Sequence, residues 1–137
     1  MARATRGKFI LNPKARYVTK AASQAVASKF GWTYEDWMQD WPLEISDEVI
    51  LKDCLHEYEK LRDDDEKFVL MKAMLFALGE EENDIEVKLR WVQISKFLNE
   101  DFDIHKSTIY YWTHYDNPES EDEFRITPFL RKFWNER

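Results

Sequence analysis

Residues Phe68 to Leu78, FVLMKAMLFAL, constrain this chain more than any other stretch: eleven positions in a row carry a single charge, Lys72. A run of that length is well short of the ~18 residues that cross a bilayer. A helix apolar on nearly every side must instead be surrounded by other elements. The pattern predicts a central core helix over about Glu66 to Leu78, with the acidic run Asp63-Asp64-Asp65 breaking the preceding segment and capping this one. Whatever else the chain forms has to cover that helix.

The covering elements also read as helices. Only three glycines occur in 137 residues, and phosphate-cradling loops, sandwich turns and Rossmann turns need glycine where φ is positive or backbone approaches a ligand. No segment alternates with period two and no repeat is present. Tyr17 to Phe30 predicts a helix with the stripe Val18, Ala21, Ala22, Ala25 and Val26, closed by Gly31. Thr33-Tyr34-Glu35-Asp36 has the form of a capping box with Asp for Glu, opening a short helical turn that ends at Pro42 and aligns Trp37 with Trp41. Ser46 is positioned to cap a helix that carries Asp47 and Glu48 in its first turn and buries Leu51, Cys54, Leu55, Tyr58 and Leu61.

Beyond the core helix, about Ile85 to Leu98 predicts a helix burying Val87, Trp91, Ile94 and Leu98. Asn99 to Lys106 reads as a loop, followed by a Ser107-capped helix over Thr108 to Tyr115. Asp116 to Glu123 reads as an acidic connection, and Thr127-Pro128 opens a last helix through Trp134. The expectation is an all-α fold: a single compact bundle of six or seven helices over 17–137, with an extended basic arm over 1–16. Asn12-Pro13 disfavours helix in the arm.

Charge is segregated. Residues 1–34 hold seven Lys/Arg and no acid, so all 27 acids and the other thirteen bases lie in 35–137. A basic arm on an acidic body is an electrostatic device for meeting a partner or for folding back on itself. Cys54 is the one cysteine, so no internal disulfide is expected; no apolar run approaches a membrane span and Phe9-Ile10-Leu11 is too short for a signal-peptide core, while the Arg-rich, acid-free start also resembles an organelle transit peptide. The expected setting is cytoplasmic, without a membrane partner. The residues leave the oligomeric state open.

Catalytic signatures are missing from the expected positions. Cys54 and His56 lie about 200° apart around a helix and cannot act as nucleophile and base. His56, His105 and His114 have no zinc-ligand spacing. Asp63-Asp64-Asp65-Glu66 lacks the glycine of a calcium loop. Asp84-Ile85-Glu86-Val87-Lys88 is similar to half of a metal-dependent nuclease site, yet it falls at an exposed helix start. The expectation is a non-enzymatic protein with no cofactor and no metal.

Two local patterns bear on binding. Ile94 to Trp112, ISKFLNEDFDIHKSTIYYW, resembles the helix-turn-helix of bacterial DNA-binding regulators. The resemblance implies phosphate contacts from Ser107 or Thr108 near Lys106, base contacts from Tyr110, Tyr111 or His114, and added phosphate contacts from Arg3, Arg6 and Lys8 in the arm. The chain departs from that family in its long Asn99–Asp103 turn, in a second helix without arginine, and in the acids that follow, which oppose a polyanion. Residues 109–123, IYY followed by acids, resemble a motif of the small acidic helical immunity proteins that block colicin-type DNase toxins. That resemblance implies that Tyr110, Tyr111 and nearby acids face a basic protein. Large aromatics ringed by carboxylates also have the composition of a protein-binding hot spot. The expected role is therefore association with a protein partner of basic character through Tyr110, Tyr111, His114, Tyr115, Asp116 and Glu119; the alternative is a DNA-associated regulator.

Overall fold

The middle of the chain is a 17-residue helix in which Phe68, Val69, Leu70, Met71, Ala73, Met74, Leu75 and Leu78 are all buried. The computed structural model describes residues 13–116 and 125–137. Among them are six α-helices, one 3-10 helix and no strand: α1 (Lys20–Phe30), the 3-10 helix (Leu43–Glu48), α2 (Leu51–Tyr58), α3 (Asp64–Glu80), α4 (Asp84–Glu100), α5 (Phe102–Thr113) and α6 (Thr127–Glu136). The all-α expectation is met. The chain falls into two units, one of Tyr17–Ile94 and one that takes in Ser95–Arg137, with α4 contributing to each.

In the Tyr17–Ile94 unit, α3 is the element on which α1, α2 and the 3-10 helix all pack. Its start is fixed as the sequence implies: Asp63 Oδ1 accepts the Glu66 N–H at 3.0 Å, and Asp64, Asp65 and Glu66 occupy the positive end of the helix dipole. Gly79 does not end it, because the helix continues to Glu80. Phe76 is only half-buried, so the weight of the core falls on Leu70, Met71, Met74 and Leu75, each fully enclosed. Lys72 reaches out of the core past Phe68, with its ammonium 5.3 Å from the ring centroid. Desolvation by burial pulls its pKa below the ordinary lysine value.

α1 begins three residues later than its sequence suggests. Thr19 is extended and its Oγ1 accepts the Ala22 N–H at 3.1 Å, which makes it the cap. The buried face is Ala22, Ser23, Val26 and Ala27, rotated from the expected stripe so that Ala21 is exposed. These small side chains suit close approach to α3. Gly31 closes the helix at φ 69°, as expected, and its N–H and that of Trp32 both donate to the Ala27 carbonyl.

The expected turn of helix over Thr33–Trp41 does not form. The Thr33 hydroxyl and N–H both donate to Glu48 Oε1, at 3.2 and 3.0 Å, which ties Thr33 to Glu48. The Asp40 N–H donates to Glu44 Oε2. Trp37 is consequently 69% exposed, whereas Trp41 is buried and donates from Nε1 to the Thr33 carbonyl at 2.8 Å. Trp41 packs against Trp32 and Tyr34, and Trp32 stacks on Phe30 at 4.4 Å. Because Glu48 is engaged in this corner, Ser46-Asp47-Glu48 belongs to the 3-10 helix and α2 starts only at Leu51. Cys54, Leu55 and Tyr58 are buried on α2 as expected, with Leu61 buried just past its end.

In the Ser95–Arg137 unit the largest departure lies at 99–107. α4 runs to Glu100, Asp101 alone forms the connection, and α5 starts at Phe102. The Asp101 carbonyl accepts the Ile104 and His105 N–H groups, so the segment read as a loop is the first turns of α5 and Ser107 lies inside the helix. α5 packs on α6. Thr127 is the first residue of α6 rather than its cap. The carbonyl of Ile126 accepts the first N–H groups, and Thr127 Oγ1 is buried with no hydrogen-bond partner among the described residues. Phe102 is covered by Phe133 and Trp134, with the Arg137 guanidinium 4.0 Å from its ring centroid while Nη1 donates to Asn99 Oδ1.

Two stability measurements follow from α3. Leu75→Ala is expected to lower the unfolding free energy in urea by about 2–5 kcal/mol, and Phe76→Ala by less, since only Leu75 is fully enclosed. Lys72→Met is expected to melt higher than the natural chain at pH 7, because folding desolvates the lysine. That gain should shrink as pH rises from the lowered folded pKa toward 10.5, above which lysine is neutral folded and unfolded alike.

Candidate protein-interaction surface at the end of α5

Consecutive helix positions lie about 100° apart, so Tyr110 and Tyr111 cannot present the same face. The structure divides them. Tyr110 is 6% exposed, and Tyr111 is 55% exposed. Tyr110 was expected among the contact residues and is instead a core side chain: its ring lies 5.3 Å from Trp134 and 6.2 Å from Tyr115, and its hydroxyl donates to Asp116 Oδ1 at 2.9 Å. Trp112 is buried as well. What reaches solvent is one large aromatic, Tyr111, in edge contact with Trp112 and 6.1 Å from the His114 ring.

The backbone beneath Tyr111 is held at several points. His114 adopts the left-handed conformation, φ 58° and ψ 26°, and ends α5 with its N–H donated to the Tyr111 carbonyl. Thr113 Oγ1 donates to the Tyr110 carbonyl at 2.5 Å and accepts the Tyr115 N–H at 3.3 Å. Arg131 on α6 donates from Nε to the Thr113 carbonyl at 2.7 Å, placing a cation at the negative end of the α5 dipole. Its guanidinium also sits 5.6 Å from the Tyr115 ring centroid. Arg131 escaped notice in the sequence because its partner is a backbone carbonyl eighteen residues away. No side-chain pattern marks such a bond.

His114 and Tyr115 are half-buried and Asp116 is exposed, so three of the expected contact residues border Tyr111 in the chain. Glu119 lies outside the described residues, as do Arg3, Arg6 and Lys8. The residues singled out for phosphate contact fare differently from one another. Thr108 is enclosed, at 2% exposure, on the same face as the fully buried His105 and Ile109, so it cannot meet a phosphate. Ser107 and Lys106 are half-buried, and Lys106 lies 3.9 Å from Asp103. The one-residue connection at Asp101 also differs from the three- to four-residue turn of a helix-turn-helix.

Other chemistry-bearing groups are isolated. Cys54 is buried, and desolvation first, then the neighbouring Asp53 carboxylate, pushes its thiol up to about 12 against a weaker opposing bond with the Ile50 backbone. A thiol in that state is a poor nucleophile at neutral pH. Among the described residues no group of three or more His, Cys, Asp or Glu side chains is placed to hold a metal. An open cleft of about 340 Å³ in the Tyr17–Ile94 unit is lined in part by Ser46, Ile50, Glu81, Glu86 and Arg90. There Arg90 Nε donates to Glu86 Oε1 at 2.7 Å and Nη1 to Gln93, so its charge is directed along its own helix.

Comparison of the chain with protein-family models, with curated proteins and with solved structures gives no match. Its class is therefore defined by its own features: the described residues are all-helical, and Tyr111, one of three exposed large aromatics beside Tyr17 and Trp37, stands at a braced helix end.

Proposed function

We propose that this protein acts without catalysis, by associating with another protein through the Tyr111 corner. The observation that carries this reading is the exposure of Tyr111 on backbone braced by Thr113, His114 and Arg131. A large amphipathic ring presented on a rigid support loses little conformational freedom on binding, which is the property of a hot-spot anchor. His114, Tyr115 and Asp116 form its border. The carboxylate excess of residues 35–137 steers the approach of a basic partner and repels polyanions. The expected setting is cytoplasmic, where the single free cysteine stays reduced.

Among the described residues no helix is long and apolar enough to cross a membrane. The DNA-regulator alternative loses Thr108 to the core and has only Ser107 and Lys106 left in α5 for phosphate.

The experiment is affinity capture from the native cell extract, followed by titration of the captured protein. Tyr111→Ala is expected to weaken binding by more than about 1 kcal/mol with an unchanged melting temperature. Unchanged affinity would remove Tyr111 from the interface, and a large drop in melting temperature would return its ring to the core. Fluorescence anisotropy with random duplex DNA supplies the opposite arm: micromolar binding that falls steeply with added salt contradicts the proposal.

A further inference from the structure

In the Tyr17–Ile94 unit an open recess of about 190 Å³ is lined by Phe30, Gly31, Trp32, Glu48, Ile50 and Asp53. It lies where the end of α1 meets the end of the 3-10 helix and the start of α2. One wall is aromatic, since the Phe30 and Trp32 rings stack at 4.4 Å with their planes 12° apart. Beside Gly31 there is open space: a Cβ placed on that residue would meet no atom within 4 Å. Ile50, 60% exposed, is the aliphatic member of the lining. The charged groups are two carboxylates from separate elements, Glu48 at the end of the 3-10 helix and Asp53 in the first turn of α2.

Those two carboxylates select the occupant. Glu48 Oε1 accepts both the N–H and the hydroxyl of Thr33, which holds the side chain in place and leaves Oε2 with no hydrogen-bond partner among the described residues. Neither Glu48 nor Asp53 has an ion-pair partner among the described residues. No lysine or arginine lines the recess. Negative charge therefore stands uncompensated against apolar walls, and it repels an anion. A neutral apolar ligand would desolvate both carboxylates with nothing in return. A calcium or magnesium ion takes about six oxygen ligands or more, which two carboxylates beside aromatic rings do not supply. The volume is below the ~300 Å³ at which small-molecule sites begin and suits a single side chain.

What matches is an organic cation on an apolar stem. Lysine has that build, with methylenes that lie along apolar surface and a charged head that stays with polar groups. Its ammonium is compact and has three donors, so it can turn to two carboxylates at once. The arginine fork instead pairs with both oxygens of one carboxylate, and one oxygen of Glu48 is already engaged. We infer that this recess receives a lysine side chain of a partner protein, its methylenes against Phe30, Trp32 and Ile50 and its ammonium shared by Glu48 and Asp53. The site uses no residue of the Tyr111 corner, so either reading can fail alone.

The test is titration of the full chain with Nα-acetyl-lysine N-methylamide, a lysine side chain on a blocked backbone, followed by NMR at the Trp32 indole and the Ile50 methyl groups. A single side chain binds in the millimolar range, and both signals should shift to saturation. The matched norleucine amide keeps the stem without the ammonium and should bind about tenfold more weakly. Asp53→Asn should lower the affinity for the lysine compound several-fold with an unchanged melting temperature. Glu48→Gln should do the same, because glutamine keeps an oxygen for the Thr33 bonds. Tyr111→Ala should bind the compound as the natural chain does. Absent shifts at Trp32 and Ile50, equal binding of the norleucine compound, or undiminished binding by Asp53→Asn would overturn the inference. Binding of free cadaverine a hundredfold tighter than the lysine compound would also overturn it, by making a small diamine the occupant.

Discussion

Everything in the Tyr17–Ile94 unit depends on enclosing α3. A helix with apolar side chains on nearly every side cannot meet water along any long edge, so the rest of that unit is organised as its cover. The cover explains features that would otherwise be arbitrary. α1 turns Ala22, Ser23 and Ala27 inward because small side chains let one helix lie close against another. α2 offers Cys54, Leu55 and Tyr58 at helical spacing. Even the acidic start of α3 fits the scheme, since Asp63 closes the first turn with its own carboxylate and its neighbours complement the dipole. Lys72 is the exception inside this apolar sleeve, held against Phe68 with its charge partly desolvated.

What the residues made legible was local. The core helix, its Asp63 cap, the glycine closure at Gly31 and the inward face of α2 are each written within a few positions, and each forms. Other features turn on partners distant in sequence or on geometry that a residue list conceals. Thr33 is bonded to Glu48, fifteen residues away, and no helical turn follows it. The stretch 99–106 looked like a loop because of its acids and asparagine, yet His105 and Ile109 carry the helical period straight through it into the core. Tyr110 and Tyr111 were grouped by adjacency, although a helix turns adjacent residues to different faces.

The same error hid α4's second face. The spacing of Val87, Trp91, Ile94 and Leu98 predicts one buried stripe; Trp91 is only half-buried, and Ile85, Leu89 and Val92 between them are exposed. Read at their own spacing they form an equally regular stripe.

Amide hydrogen exchange under native conditions tests the role of α3 most directly. Buried over most of its surface, α3 should hold its central amides, Leu70 to Leu78, as the slowest in the Tyr17–Ile94 unit, opening only with complete unfolding of that unit. Amides of α1 and α2 should exchange sooner, through partial openings that leave α3 covered. If α3 exchanged as fast as α1, or opened while α1 and α2 stayed protected, the element taken here as the centre of the unit would be one of its coverings.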